Sequence, residues 1–127
     1  MTVSIYDIIS ANSIFTKILQ HEFTGKQSFM ISRVLRALNS ETESFNNTRE
    51  EILKRYAELD EAGEMIVHEG NVKIRENEMA AFQEEINELL YANLELNIKP
   101  IPLEWLDNLK LTPQEMLILE PFVQFEE

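Results

Sequence analysis

One long segment without proline or glycine sets the strongest limit on what this chain can fold into. The segment runs from about residue 26 to residue 61. An apolar residue recurs in it at every seventh position: Ile31, Leu38, Phe45, Ile52 and Leu59. A repeat of this period brings the side chains to one face of an α-helix. The sequence therefore predicts a long helix over residues 26–61.

Two interpretations of this apolar stripe are open. It is either the seam of a coiled coil between chains or the core-facing side of a long helix in one small domain. Glu41 and Thr48 stand where a coiled coil would carry a second apolar column, which favours the core-facing interpretation. Asn46 and Asn47 are weak helix formers, so a kink or break there is the alternative to a continuous helix.

A shorter helix is predicted before the long one. Apolar residues recur there at helical spacing: Ile5, Ile8, Ile9, Phe15, Ile18 and Leu19. Ser4 with Asp7 three residues later resembles a capping box at its start. Thr24 with Gln27 has the same spacing just before the long helix. Two consecutive helices with separate starts indicate a helical hairpin over residues 1–61.

The second half of the chain predicts shorter elements. Segments Glu64–His68 and Asn71–Arg75 flank Glu69-Gly70 and are typical of a β-hairpin. A helix is predicted over about residues 77–91. The alternating segment Leu94–Ile98 reads as a strand, which could extend the hairpin to a three-stranded sheet.

A last short helix is predicted near the end of the chain. Thr112 can cap it, Pro113 suits its first position, and Glu115 completes the capping box. We therefore predict a mainly helical α+β fold in a single domain, residues 1–127. A long helical hairpin fills residues 1–61. A small antiparallel β-hairpin or three-stranded sheet and the short C-terminal helix belong to an acidic half, residues 62–127.

The charge of the chain is uneven. It has 23 acidic and 11 basic side chains, a net charge of −12. Residues 1–60 carry a net charge of −1 and residues 61–127 one of −11. A surface this acidic repels nucleic-acid phosphates and anionic lipid headgroups. We expect neither nucleic acid nor a membrane as a direct partner.

The residues offer little for catalysis. There is no cysteine, no Gly-rich phosphate loop and no nucleophile elbow. The two histidines, His21 and His68, each stand beside a glutamate, as expected of exposed side chains. The many carboxylates belong to solvated helix faces rather than to a shared cleft. The sequence therefore predicts no enzyme, no catalytic residue, no cofactor and no metal site.

Binding candidates come from two features. Apolar stripe residues and aromatics near the chain end could contact a partner: Ile31, Leu38, Phe45, Ile52, Trp105, Phe122 and Phe125. For the aromatics near the chain end, the sequence favours packing into the core of the same domain, and contact with another subunit is the alternative. The candidates for an acidic binding face are Glu84, Glu85 and Glu88, on the helix over residues 77–91.

The order of these segments also carries a resemblance. The segments are Tyr56–Gly63, Val72–Ile74, Phe82–Glu85, Asn87–Leu90, Leu94–Leu96, Ile101–Leu103 and Thr112–Phe122. The succession resembles small acidic proteins of tailed bacteriophages and prophages that are grouped as a domain of unknown function. The resemblance covers about residues 26–122. It implies a viral source and a non-enzymatic accessory role, and it supplies no active residues.

Two functions are therefore expected, and the first is favoured over the second. The first is an interaction protein in phage particle assembly or a minor virion component, with a viral or host protein or a second copy of itself as partner. The alternative is an acidic inhibitor that mimics nucleic acid toward a host nucleic-acid-binding or defence protein. Since Met1–Ser10 lacks the basic region of a secretion signal, we expect the host cytoplasm, or the virion, as its location.

Overall fold

The computed structural model describes residues 1–125. Its helices are α1 (Ile5–Leu19), α2 (Gly25–Tyr56), α3 (Met79–Tyr91) and α4 (Pro113–Leu119). Its strands are β1 (Thr2–Val3), β2 (Val67–His68), β3 (Asn71–Val72), β4 (Leu94–Glu95), β5 (Ile101–Pro102) and β6 (Val123–Gln124). Short 3-10 turns cover Glu76–Glu78, Leu103–Leu106 and Glu120–Phe122. The mainly helical class with small β-elements is confirmed.

The chain divides into two compact units. Unit 1 contains residues 1–42 together with the chain from Ala92 onward, and unit 2 contains Glu43–Tyr91. One boundary therefore falls inside α2 and the other directly after α3. These units do not coincide with the division between residues 61 and 62 that the charge pattern suggested. The single domain stays a prediction.

Three helices begin as the sequence predicted. In each, the side chain of the capping residue accepts from a backbone N–H three residues on, and the side chain there accepts from the capping residue's own N–H. The two hydrogen bonds measure 3.1 and 2.9 Å between Ser4 and Asp7 at the start of α1. They measure 3.2 and 3.2 Å between Thr24 and Gln27 before α2, and 3.1 and 3.0 Å between Thr112 and Glu115 at α4.

Helix α2 is continuous, but it is shorter than predicted. It passes through Asn46 and Asn47 without a break and ends at Tyr56, so the predicted end at residue 61 is wrong. The reason is a set of long-range backbone pairings. Ala57 forms an antiparallel β-bridge with Ile74, and Leu59 forms one with Met65, so the chain is extended there. Leu59 lies outside the helix and is 52% exposed.

A closed ring of backbone hydrogen bonds joins three segments of unit 2. The Glu58 N–H donates to the Lys73 carbonyl at 2.8 Å, and the Lys73 N–H donates to the Ile66 carbonyl at 2.8 Å. The Ile66 N–H closes the ring on the Glu58 carbonyl at 3.0 Å. The Lys73 ammonium also lies 3.3 Å from the Glu58 carboxylate. Through this ring, backbone N–H and C=O groups of three short segments pair with one another. In an isolated hairpin these groups would bond only to water.

The predicted β-hairpin is confirmed. Strands β2 and β3 pair antiparallel, with Val67 opposite Val72. The two turn residues, Glu69 and Gly70, both have positive φ, 51° and 82°. That is the left-handed backbone that a tight type I′ hairpin turn requires. Glycine adopts it without strain, which explains why Gly70 stands at the turn.

The predicted three-stranded extension of this hairpin is wrong. Strand β4 pairs antiparallel with β1, with Val3 opposite Leu94, instead of joining β2 and β3. The Leu96 N–H continues the pairing by donating to the Met1 carbonyl at 2.8 Å. Alternation of apolar residues identifies a strand but not its neighbour, which is chosen by the packing of the whole unit.

The end of the described chain belongs to the core of unit 1. Strand β6 pairs parallel with β5, with Val123 opposite Ile101. The Phe122 ring is fully buried and meets the Phe15 ring edge to face, with centroids 5.2 Å apart. Among residues 1–125, the largest fully buried side chains all lie in this unit: Phe122, Ile18, Ile101, Leu119 and Val3.

Candidate interaction surfaces

The stripe residues proposed for partner binding lie in the interior. Ile31 and Leu38 are buried in unit 1, and Phe45 and Ile52 are buried in unit 2. The most accessible of them, Phe45, is 9% exposed. Side chains with so little surface contact their own unit and do not reach a partner while it stays folded. Their burial favours the core-facing interpretation of the stripe.

The three aromatic candidates differ in exposure. Phe122 has no exposed surface, Trp105 is half-buried in the 3-10 turn after β5, and Phe125 is 49% exposed. Only Trp105 and Phe125 therefore offer surface to another molecule. The apolar chain end is mainly core, as the favoured interpretation of the sequence had it.

The three acidic candidates also differ. Glu84 and Glu88 are exposed on α3, whereas Glu85 is half-buried. The Glu85 carboxylate accepts from the Arg55 guanidinium at 3.1 Å. Burial raises the pKa of Tyr56, and its hydrogen bond with Glu85 raises that pKa further. The Glu85 side chain therefore connects α3 to the end of α2. Of the three candidates, Glu84 and Glu88 remain available to form an acidic face.

A groove between α1 and α2 in unit 1 is lined by one of the predicted binding candidates, Leu38, and by residues that were not candidates. It consists of two adjoining cavities of about 200 and 370 Å³, which share Asn12, Phe15, Leu35 and Asn39. The remaining lining residues are Ile8, Ile9, Thr16, Leu19, Ser32, Arg36, Leu38 and Thr42. We refer to this feature as the α1–α2 groove.

The chemistry of the α1–α2 groove differs from that of the rest of the surface. Ile9 and Leu19 line it and are 48% and 64% exposed. Among residues 1–125, Arg36 is the single charged residue that lines it, and no carboxylate does. In a chain with a net charge of −12, an apolar groove without acidic residues is a place where another protein can dock without repulsion.

The sequence signal for this groove was present but ambiguous. Helical spacing placed Ile9 and Leu19 with the apolar residues of α1, and most of that face is indeed buried. The apolar face of α1 is wider than the core it covers, so these two residues remain at its edge. Only the burial of each side chain in the folded structure shows which α1 residues lie at the edge of the core and which lie at its centre.

An ion pair connects α1 and α4 in the same unit. The Lys17 ammonium lies 2.6 Å from the Glu115 carboxylate, which also completes the capping box of α4. The hydrogen bond from Lys17, followed by that from the Thr112 backbone, lowers the pKa of Glu115. Glu115 therefore has a structural role at the start of α4 and is not a free surface acid.

The structure offers no metal centre in the part of the chain that it describes. No group of three or more His, Asp or Glu side chains among residues 1–125 could hold a metal ion. The His21 ring lies edge-on to Phe23 with centroids 5.0 Å apart, and His68 is exposed at the hairpin.

None of the described helices combines the length and the apolar character needed to cross a bilayer.

Comparison with protein-family models, with curated proteins and with solved structures finds no match for this chain. The resemblance to phage proteins therefore depends only on the segments that carry it. Any functional assignment has to start from the surfaces described above.

Proposed function

We propose that this chain is a non-enzymatic interaction protein of a tailed bacteriophage. It acts in particle assembly or as a minor virion component, in the host cytoplasm or the virion. The observation that carries the proposal is the α1–α2 groove, where Ile9 and Leu19 stay exposed without an acidic neighbour in the lining. Apolar side chains that stay exposed along a groove are candidates for contact with another protein.

A second copy of the chain is the occupant that fits this groove best. Its polar lining consists mainly of side chains that both donate and accept hydrogen bonds: Asn12, Thr16, Ser32, Asn39 and Thr42. A two-fold axis brings identical surfaces together, so such side chains can satisfy one another across it. Two helices from each copy would then pack as a four-helix arrangement.

A second function is favoured by the acidity of unit 2. Glu43–Tyr91 contains thirteen acidic and five basic side chains, a net charge of −8. Glu84 and Glu88 are exposed one helical turn apart on α3. Ordered carboxylates on a helix can stand in for phosphates, so unit 2 could inhibit a basic host protein.

A pull-down from infected cells separates the two functions. The tagged chain is compared with Leu19→Lys in the groove, with the matched control Leu117→Lys on α4, and with a Glu84→Lys/Glu88→Lys variant. Leu117 suits as control because it is an exposed helical leucine of unit 1, 69% exposed against 64% for Leu19, and lies outside the groove. Captured proteins are identified by mass spectrometry at low and high salt.

An assembly role predicts virion proteins, or untagged copies of the chain, that are lost with Leu19→Lys and kept with Leu117→Lys. A mimic predicts instead a basic host protein that is lost with the double α3 variant and at high salt, because exposed charge pairs are screened. Capture that is the same with all four proteins would contradict both functions.

A further inference from the structure

A separate cleft of about 470 Å³ lies in unit 1 and shares no lining residue with the α1–α2 groove. Its walls come from the first half of α2 and from the chain after β4. The lining residues are Met1, Met30, Arg33, Val34, Leu96, Asn97, Ile98 and Lys99. This volume is in the range of clefts that hold small molecules.

Two cationic side chains line this cleft, together with the Met1 ammonium. Arg33 and Lys99 both line it, and no carboxylate among residues 1–125 does. Within residues 1–125, neither side chain takes part in an ion pair. In a chain with 23 acidic side chains, a cleft with only positive charge is unexpected unless an anion belongs there.

The rest of the lining combines apolar side chains with the polar side chain of Asn97, and part of it is held in place by hydrogen bonds. Met30, Val34, Leu96 and Ile98 give the cleft its hydrocarbon walls. The Met1 amino group donates to the carbonyl oxygens of Leu96 at 3.0 Å and Ile98 at 3.4 Å. These hydrogen bonds fix the wall after β4 and occupy carbonyls that would otherwise repel an anion.

We propose that this cleft binds a carboxylate that carries an apolar chain, with the carboxylate at Arg33 and Lys99 and the chain along Met30, Val34 and Ile98. A guanidinium and an ammonium both donate charge-assisted hydrogen bonds to carboxylate oxygens. Burial of an apolar chain against the hydrocarbon walls is favourable, and an inorganic anion has no such chain. This site does not depend on the α1–α2 groove or on the proposed phage role.

Two sources share this chemistry, a free alkanoate and the C-terminal carboxylate of a peptide with aliphatic last residues. Calorimetry and amide NMR titration of the whole chain compare octanoate, octanol, inorganic phosphate, and a short peptide ending in two leucines, with and without C-terminal amidation. We expect octanoate and the free-acid peptide to bind and to shift the amides of residues 96–99. Octanol, phosphate and the amidated peptide should bind at least tenfold more weakly. The tighter of the two carboxylates identifies the source.

Variants test the two cations. Arg33→Gln and Lys99→Gln should each weaken octanoate binding about three- to fivefold, as expected for a partly exposed charge pair. Arg49→Gln is the matched control, since Arg49 is an exposed arginine of the same helix and lines neither the cleft nor the α1–α2 groove. It should leave affinity unchanged. Equal binding of octanol and octanoate, equal binding of phosphate, or equal effects of all three substitutions would overturn the proposal.

Discussion

Phe122→Ala is expected to lower the free energy of unfolding of the chain by about 3–5 kcal/mol, the usual loss for a buried phenylalanine. Phe122 has no exposed surface, and its ring packs edge to face on Phe15 at 5.2 Å. The substitution removes that aromatic contact and leaves a cavity beside the α1 core. Since small proteins are stable by only about 5–15 kcal/mol, the loss should be plain in urea denaturation followed by circular dichroism.

Phe125→Ala is the matched control for this substitution. It changes the same residue type three positions further along, where the side chain is 49% exposed. We expect a loss of less than about 1 kcal/mol, as for surface substitutions that leave no cavity. Equal losses at the two positions would contradict the assignment of the chain end to the core of unit 1.

Ile52→Ala should destabilise unit 2 by about 2–5 kcal/mol, because the side chain is a buried member of the apolar stripe. Ile52 is 3% exposed, whereas Leu59, the next member of the stripe, is 52% exposed and lies beyond the end of α2. Leu59→Ala is therefore the control and should cost less than half as much. The measurement is hydrogen exchange of the α3 amides, which reports on unit 2 separately.

A larger loss at position 59 than at position 52 would contradict this assignment. It would mean that the seven-residue repeat continues as one packed face beyond Tyr56, as a coiled-coil seam requires.

The helix starts could be predicted from the sequence, because each depends on two side chains three residues apart. Ser4, Thr24 and Thr112 all cap their helices through contacts within one turn. The hairpin turn at Gly70 is equally local, since it requires positive φ at two adjacent residues. Where the physical cause lies within a few residues, the pattern determines the structure.

The end of α2 and the partner of β4 could not be predicted, because their causes are distant in sequence. Helix α2 stops at Tyr56 since the following residues pair with the segments around Ile66 and Lys73. No proline or glycine marks that point, and Gly63 comes seven residues later. Strand β4 pairs with residues more than ninety positions away.

The candidate surfaces were predicted only in part, for a related reason. Exposure of Glu84 and Glu88 followed from their place on the polar side of α3. The ion pair of Glu85 with Arg55 did not, because it joins residues thirty positions apart. Helical spacing also could not tell Ile9 and Leu19 at the edge of the α1 core from Ile18 at its centre.

The central claim, that the α1–α2 groove joins two copies of the chain, is tested most directly by sedimentation equilibrium over a wide range of protein concentrations. We predict a species of twice the chain mass of 14.9 kDa for the wild type and for Leu117→Lys. Leu19→Lys should remain a monomer, because it places a cation beside Arg36 in a groove that closes on its own copy. A monomeric wild type at every concentration, or a dimer that Leu19→Lys leaves intact, would contradict the claim.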